Sequence, residues 1–178
     1  MRLWKHIAAV IVLTVALGAA SFVTAGPSSA LTTRRMRTVE ATWALAVYAL
    51  LNVERLAHGR LPLRLNQRLV NSAMYHNVRM ARRNTLSHQL PGELSFTARE
   101  LGFGYHWSTA AENCSVNPDM SKRGALQLQR MMYHERPPGE TGHRQNILSR
   151  SMRDVGIAVL IDWTNKRIWM TEDFGAPS

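Results

Sequence analysis

The stretch from Asp154 to Phe174, DVGIAVLIDWTNKRIWMTEDF, predicts a β-hairpin with a strand that is apolar on both faces. The alternating residues of that strand are Val155, Ile157, Val159 and Ile161 on one face and Gly156, Ala158 and Leu160 on the other. Residues 163–166 are typical of a turn, so 167–174 should form a second, antiparallel strand. A sheet that is apolar on both faces has to be covered by helices on both faces. The stretch therefore predicts an α+β fold, a helix-sheet-helix (α-β-α) sandwich with a small antiparallel sheet.

Segments with the apolar periodicity of helices precede this hairpin and could cover it. The longer ones run from about Val39 to His58, from a cap near Asn66 onward, and from about Ser121 to His134. A shorter helical period runs from Leu94 to Leu101, and Ala111–Val116 has the composition of a buried strand. Together with the hairpin, these segments predict one folded domain.

The amino-terminal segment has the parts of a secretory signal. Arg2 and Lys5 precede an uncharged apolar run, 7–20, and small residues follow it. We expect 1–25 to be a signal peptide, cleaved after Ala25 or Ala30, with 26–38 a polar linker and 39–178 the folded domain. The alternative is an uncleaved anchor at the outer face of the cytoplasmic membrane. Residues 7–25 support it, because they almost reach the roughly 20 apolar residues that span a bilayer.

The chain is basic and has a single cysteine. Its 22 lysines and arginines against 12 acidic residues give a net charge of +10, and +8 remains once Arg2 and Lys5 leave with the signal. In an exported protein this charge is expected to attract anionic envelope lipids or polymers. Nucleic acid is not expected, since no nucleic-acid-binding motif accompanies the charge. Cys114 alone cannot form an internal disulfide, and its place in an apolar strand predicts a buried, inert thiol.

Four polar side chains stand at predicted element boundaries, and we expect them to meet in a cleft. They are His88 in Leu-Ser-His, Glu112 in Ala-Glu-Asn, Glu135 before the Pro-Pro-Gly stop of a helix, and His143 in Gly-His-Arg-Gln-Asn-Ile-Leu. Two imidazoles and two carboxylates form a nitrogen and oxygen ligand set that suits Zn²⁺ better than Ca²⁺. These four residues are the predicted cleft and the candidate metal ligands.

Taken in order, these motifs resemble the CAP superfamily, the SCP-like or pathogenesis-related-1-like extracellular domains. The resemblance spans about Trp43 to Gly175, and residues 142–148, GHRQNIL, carry it most specifically. It implies the same sandwich fold, extracellular placement and a shared cleft, where some members of the family bind a divalent metal. Relatives in eukaryotes are typically rich in disulfides, so the single cysteine indicates a bacterial, disulfide-free member.

The resemblance leaves the role of the cleft open. Glu140 and His134 are alternatives to Glu135 as the second cleft partner, and most relatives have glycine where Ala111 stands. The four cleft residues either bind a metal or only hydrogen-bond across the cleft and tie helix ends to the sheet.

Two further residues of the GHRQNIL motif have expected structural roles. Arg144 is expected to pair with a carboxylate such as Asp154 or Asp173. Asn146 is expected to bond the neighbouring backbone.

These observations favour a secreted, non-catalytic binding module for an envelope lipid or polymer. No cofactor is required by the motifs, and Zn²⁺ is the divalent metal that suits the cleft residues. A zinc-protease motif starting at His134 is excluded, because Pro138 stands where its second histidine belongs. The alternative is a metal-dependent hydrolase that uses the same four residues, with a carboxylate as general base on a metal-bound water.

Overall fold

A computed structural model of the protein describes residues 31, 33–135 and 142–178. The predicted signal peptide, both proposed cleavage sites and Glu140 lie outside the described residues. Among the helices that are described, none has the length and apolar character needed to cross a membrane.

Five helices and four strands make up the described part of the chain. In chain order they are α1 (Thr38–Ala57), β1 (Arg64–Leu65), α2 (Gln67–Arg83), α3 (Phe96–Gly102), β2 (Trp107–Asn117), α4 (Lys122–His134), α5 (Gly142–Leu148), β3 (Asp154–Asp162) and β4 (Arg167–Pro177). This confirms the predicted helices and the hairpin. Strand β2 begins earlier than the predicted Ala111, because its register on β4 continues to Trp107 through an irregularity before Thr109.

The strands form one mixed sheet in the order β1-β3-β4-β2. The β3–β4 hairpin is antiparallel, with Asp154 opposite Gly175 and Asp162 opposite Arg167, and β2 adds to β4 in the antiparallel sense. The short strand β1 pairs in parallel with β3. It was not predicted, because two residues are too few to show a period.

Helices cover both faces of the sheet, as the two-faced apolar hairpin predicts. Helices α1, α4 and α5 share one core with the residues of β3 that face them, among them Val155 and Ile157. On the opposite face, α2 packs against Ala158 and Leu160, and Cys114 lies in that second core. The sheet is therefore the middle layer of an α-β-α sandwich.

Close contact between α2 and the sheet depends on Gly156. A Cβ atom at this position would overlap the backbone of Leu69 and Val70. About two turns further along α2, the polar Asn77 is satisfied inside this layer. Its Nδ2 donates to the carbonyl of Ala158 at 2.9 Å, and its Oδ1 accepts from the Thr171 hydroxyl at 2.8 Å.

The start of each long helix is fixed by local hydrogen bonds. At α2, Asn66 is the predicted cap, and its Oδ1 accepts from the Arg68 amide at 3.0 Å. Before α1, Arg34 binds the buried Glu40 carboxylate at 2.8 Å. Arg37 reaches the carbonyl of Ile161 at 3.0 Å, so the end of the predicted linker is attached to the hairpin.

Candidate functional site

The structure brings the four predicted cleft residues together from four separate segments of the chain. His88 follows α2, Glu112 lies in β2, Glu135 is the residue at which α4 ends, and His143 lies in the first turn of α5. The imidazole ring centres of His88 and His143 are 6.5 Å apart. The cleft thus forms where two helix ends meet the edge of β2.

Each histidine of the cleft is bound to one glutamate through Nδ1. His88 Nδ1 lies 2.9 Å from Glu112 Oε1, and His143 Nδ1 lies 3.2 Å from Glu135 Oε1. The His88 side chain is 56% exposed, whereas that of Glu112 is 1% exposed, so this pair links solvent to the interior. Of the alternatives to Glu135, His134 is exposed and stacks edge-on against Tyr133, away from this pairing.

Asparagine side chains hold α5 against β2 at the cleft. Asn146 Nδ2 donates to the Glu112 carbonyl at 3.3 Å and to Asn113 Oδ1 at 2.9 Å. In return, Asn113 Nδ2 donates to the His143 carbonyl at 3.3 Å. The predicted backbone bond of Asn146 is confirmed, and these contacts set the positions of Glu112 and His143 relative to each other.

Arg144 does not pair with Asp154 or Asp173, so that prediction is wrong. Its Nη1 donates to the carbonyl of Tyr133, and its guanidinium carbon lies 4.7 Å from the centre of the Tyr133 ring. The side chain of Arg144 therefore turns toward α4 instead of the sheet. Asp154 is already bound by Arg64 at 2.8 Å.

Arg99 is a member of the site that the sequence did not reveal. It is fully buried on α3, and its Nη2 donates to Glu112 Oε2. Its Nη1 donates to the carbonyls of His88 and Leu94, each at 3.3 Å. Both carboxylate oxygens of Glu112 are thus in use. No local pattern distinguishes Arg99 from the other arginines, because its partners come from distant segments.

Two further carboxyl groups, Glu100 and Asp173, are buried beside the Arg99–Glu112 pair. None of their four oxygens has a hydrogen-bond partner among the described residues. Burial, with the neighbouring Asp173 and Glu112, raises the pKa of Glu100 to about 10. Burial, with Glu112, also raises the pKa of Asp173. Glu100 is therefore protonated at neutral pH, and Asp173 keeps its proton to higher pH than an exposed aspartate would. Arg99 neutralises the Glu112 carboxylate.

The types of donor in the cleft suit Zn²⁺, but the candidate atoms of His88, His143 and Glu135 do not all lie within 4.8 Å of one another, so these side chains would have to draw together around the metal. Because Nδ1 of each histidine is bound to a glutamate, His88 and His143 would have to bind a metal through Nε2. Glu135 Oε2 is buried and lacks a hydrogen-bond partner in the described part of the chain, so it can supply a third ligand. Two imidazole nitrogens and one carboxylate oxygen match the composition of open zinc sites. Glu112, held by Arg99, fits better as the residue that orients His88.

A second group of possible ligand atoms fits a metal less well. Atoms of His76, Glu112 and Cys114 lie within 4.8 Å of one another. However, His76 uses both ring nitrogens, Nδ1 at 3.0 Å from Glu93 and Nε2 at 2.7 Å from the Ser87 carbonyl. Burial, with Glu112 nearby, also raises the pKa of the Cys114 thiol, which opposes the thiolate that a metal needs.

An apolar groove adjoins the cleft and shares the His143–Glu135 pair with it. Its volume is about 230 Å³. The other residues that line it are Leu86, Cys114, Ser115, Val116, Leu128, Met131 and Met132. A ligand in this groove would contact mostly apolar side chains, together with the His143 imidazole and the Glu135 carboxylate.

Comparison with protein families gives a match that covers most of the chain. The CAP family, described as the cysteine-rich secretory protein family, matches residues 48–174. In contrast, no individual curated protein is similar enough in sequence to count as a match. The matched range contains all four cleft residues.

Solved structures with the same fold include bacterial surface and extracellular proteins. An extracellular SCP-domain protein from Bacillus anthracis is 20% identical, with a TM-score of 0.65 over 80% of this chain. The chain spans only 45% of that protein's length. An outer surface protein from Borrelia burgdorferi is 12% identical, with a TM-score of 0.67 over 82% of this chain and 99% of its own.

A third similar structure was determined with Zn²⁺. This protein, NaASP2, is 11% identical, with a TM-score of 0.58 over 80% of this chain and 84% of its own. At such identities the likeness of all three structures establishes the fold alone.

Proposed function

The chain belongs to the cysteine-rich secretory protein (CAP) family, and from this premise we propose that it is an exported, non-catalytic binding module for an amphipathic envelope lipid. The observation that carries the proposal is that the hydrogen-bonded His143–Glu135 pair lines the apolar groove. A ligand with an apolar chain and a polar end group fits this arrangement. A polar envelope polymer fits it less well, because most of the groove lining is apolar.

The small volume of the groove favours binding of one segment of a lipid over enclosure of a whole small molecule. Pockets that enclose drug-sized ligands usually measure about 300–1,000 Å³. At about 230 Å³ the groove is smaller, so it would accommodate one segment of a chain while the rest stays outside. Met131, which is 66% exposed at the groove, offers a flexible thioether that adapts to such a segment.

The chemistry of the site favours binding over catalysis. The Cys114 thiol has a raised pKa because it is buried, so it is a poor nucleophile. Glu112 is held between His88 and Arg99, which leaves it unsuited to accept a proton from water. Glu135 is the remaining carboxylate, and it would need a bound metal to activate water at neutral pH.

A lipid-binding measurement with matched variants tests the proposal. Met131→Gln places a polar group at the groove, and Leu45→Gln makes the same change at an exposed position on α1. We expect the protein to bind a fluorescent fatty acid, Met131→Gln to weaken binding several-fold, and Leu45→Gln to bind like wild type. Equal binding by both variants would remove the groove from the proposal.

A hydrolase screen distinguishes the proposed binding module from the rival function, a metal-dependent hydrolase. If the purified protein turned over ester or amide substrates, and a chelator abolished that turnover, a metal-dependent hydrolase would replace the binding module. Zinc supplies a Lewis acid and an activated water when it is bound in such a site. His88 and His143 would hold it, and Glu112 would keep the His88 ring oriented.

Export is part of the proposal and rests on the amino-terminal pattern. The extracellular relatives and the absence of a spanning helix among the described residues are consistent with it. The mature protein is expected to begin at Gly26 or Leu31. An intact Met1 terminus in the membrane fraction, measured by mass spectrometry, would instead show an uncleaved anchor.

A further inference from the structure

A concave surface at the far end of α5 collects four arginines. It has a volume of about 360 Å³, and its lining consists of Arg55, Gly59, Arg60, Leu61, Arg150 and Arg153. The carbonyls of Ile147 and Ser149, at the carboxyl end of α5, accept hydrogen bonds from Arg55 at 2.6 and 3.0 Å. The surface is therefore at the opposite end of α5 from His143.

No carboxylate of the described residues forms an ion pair with these four arginines. Among the described residues, the arginines in ion pairs are Arg34, Arg37, Arg64, Arg79, Arg99 and Arg123. The nearest acid in sequence, Asp154, binds Arg64 and the Tyr105 hydroxyl. Burial is the main cause of the lowered pKa of Arg55. The positive charges of Arg60 and Arg153 lower it further, because like charges repel.

Part of the cluster has a structural role that also fixes its geometry. Arg55 and Arg60 donate to carbonyls at the end of α5, where cations suit the helix dipole. Arg153 Nη1 donates to three carbonyls of its own turn, that of Arg150 among them, at 2.6 Å. These bonds hold the guanidinium groups in place, so little side-chain freedom would be lost when a ligand binds.

The donors left over after these bonds are suited to an oxyanion. Nη2 of Arg55, both Nη atoms of Arg60, and Nε and Nη2 of Arg153 donate no hydrogen bond within the described part of the chain. The exposed Arg150 guanidinium donates none either. Gly59 borders open space, because even an added Cβ there would have no described atom within 4 Å. The surface is therefore open at Gly59.

We propose that Arg55, Arg60, Arg150 and Arg153 form a binding site for a phosphate group carried by an anionic envelope lipid. A phosphate suits this site better than a single carboxylate, because it offers more oxygens to several guanidinium forks. A membrane surface is favoured as the source, since Leu61 is 79% exposed at the same site and can enter the headgroup region. The site is separate from the apolar groove and adds a second contact to the proposed binding module.

Binding of inorganic phosphate and of vesicles tests this site with one pair of variants. Arg150→Gln removes a guanidinium that makes no hydrogen bond or ion pair with the described residues, so the variant should stay folded. Arg68→Gln removes the same charge from the exposed face of α2 and controls for net charge. We expect Arg150→Gln to lose about tenfold in affinity for inorganic phosphate, because charge-assisted hydrogen bonds are lost, and Arg68→Gln to lose little.

Sedimentation with phosphatidylglycerol vesicles, against neutral phosphatidylcholine vesicles, then distinguishes the source of the phosphate. Weaker vesicle binding by Arg150→Gln than by Arg68→Gln supports the lipid phosphate. A loss confined to inorganic phosphate would overturn the lipid and identify a soluble phosphate compound as the occupant. Equal behaviour of the two variants in both assays would overturn the site itself. Met131→Gln should leave phosphate binding unchanged, so failure of the groove and failure of this site can be told apart.

Discussion

Asp173 of β4 is paired with Glu112 of the neighbouring antiparallel strand β2, so two buried carboxyl groups lie side by side in the sheet. Like charges in this relation are destabilising, and Arg99 compensates only one of them. The next pair along the same strands places the fully buried Glu172 opposite Asn113. Burial therefore favours the protonated form of acids near the cleft, such as Glu172. This should be visible in how the unfolding free energy of the protein depends on pH.

Glu172 makes the protein less stable as the pH rises. Burial raises its pKa from 4.5 to about 8, in spite of the hydrogen bond from Asn113. A carboxyl with a raised pKa holds its proton more tightly in the folded chain. The stabilisation that protonated Glu172 contributes is therefore complete below about pH 4.5 and is lost as the pH rises toward about 8. Glu172→Gln should flatten the decline of unfolding free energy in this range by about 1.4 kcal/mol per pH unit.

Chemical denaturation at several pH values measures this slope. Asp119→Asn is the control. Hydrogen bonds from Ser121 and Arg123 lower the pKa of Asp119, so its titration is finished at lower pH. That variant should shift the whole stability curve without changing its slope above about pH 5. An unchanged slope in Glu172→Gln would mean that Glu172 is ionised in the folded protein.

Arg99 should be the most costly arginine of the domain to replace. It is fully buried and compensates Glu112, with Glu93 3.9 Å away. Arg99→Met would leave these charges buried without a partner, for which we expect a loss of about 3–5 kcal/mol in unfolding free energy. Arg79→Met, which affects a partly exposed arginine near the same Glu93, should cost about 1 kcal/mol or less. Similar losses in both variants would show that Arg99 contributes packing alone.

The layers of the fold could be predicted because local patterns encode them. The alternation around Ile157 gives a strand with two apolar faces, and a cap such as Asn66 marks where a helix begins. Glu135 and His143 could be located because each stands at a helix end, whereas His88 in the loop after α2 and Glu112 inside β2 were located through the family motifs. Arg99 and the direction of Arg144 could not be predicted, since both depend on partners that the fold brings from distant segments.

Gly156 should tolerate no side chain, because α2 lies directly on it. A Cβ at this position overlaps the backbone of Leu69 and Val70, and backbone cannot move aside as a flexible side chain can. Gly156→Ala should lower the unfolding free energy by about 1–3 kcal/mol or more, since 1–3 kcal/mol is the usual cost of overpacking. Gly142→Ala is a matched control, since nothing lies within 4 Å of a Cβ there. Thermal unfolding that affects both variants equally would contradict this account of how α2 packs.

The cleft should bind Zn²⁺ through its histidines, and His143→Ala is the change that tests this. Removing His143 takes away one imidazole ligand and the partner of Glu135, so most of the zinc affinity should be lost. The fold should survive, because the cores on both faces of the sheet do not include the His143 side chain. His134→Ala removes a neighbouring exposed histidine whose ring stacks against Tyr133 and forms no hydrogen bond among the described residues, and it should bind zinc like wild type.

A zinc titration against a competing chelator, repeated at lower pH, gives the comparison. Protons compete with the metal for imidazole nitrogen, so the affinity of wild type should fall as the pH is lowered. Equal affinity of wild type and His143→Ala would remove zinc from the cleft, and the two His–Glu pairs would then only bind α4, α5 and β2 together. Unfolding of His143→Ala would point to the same structural role. Retained folding with lost zinc binding is the result that the geometry of Glu135 Oε2, buried and without a described partner, leads us to expect.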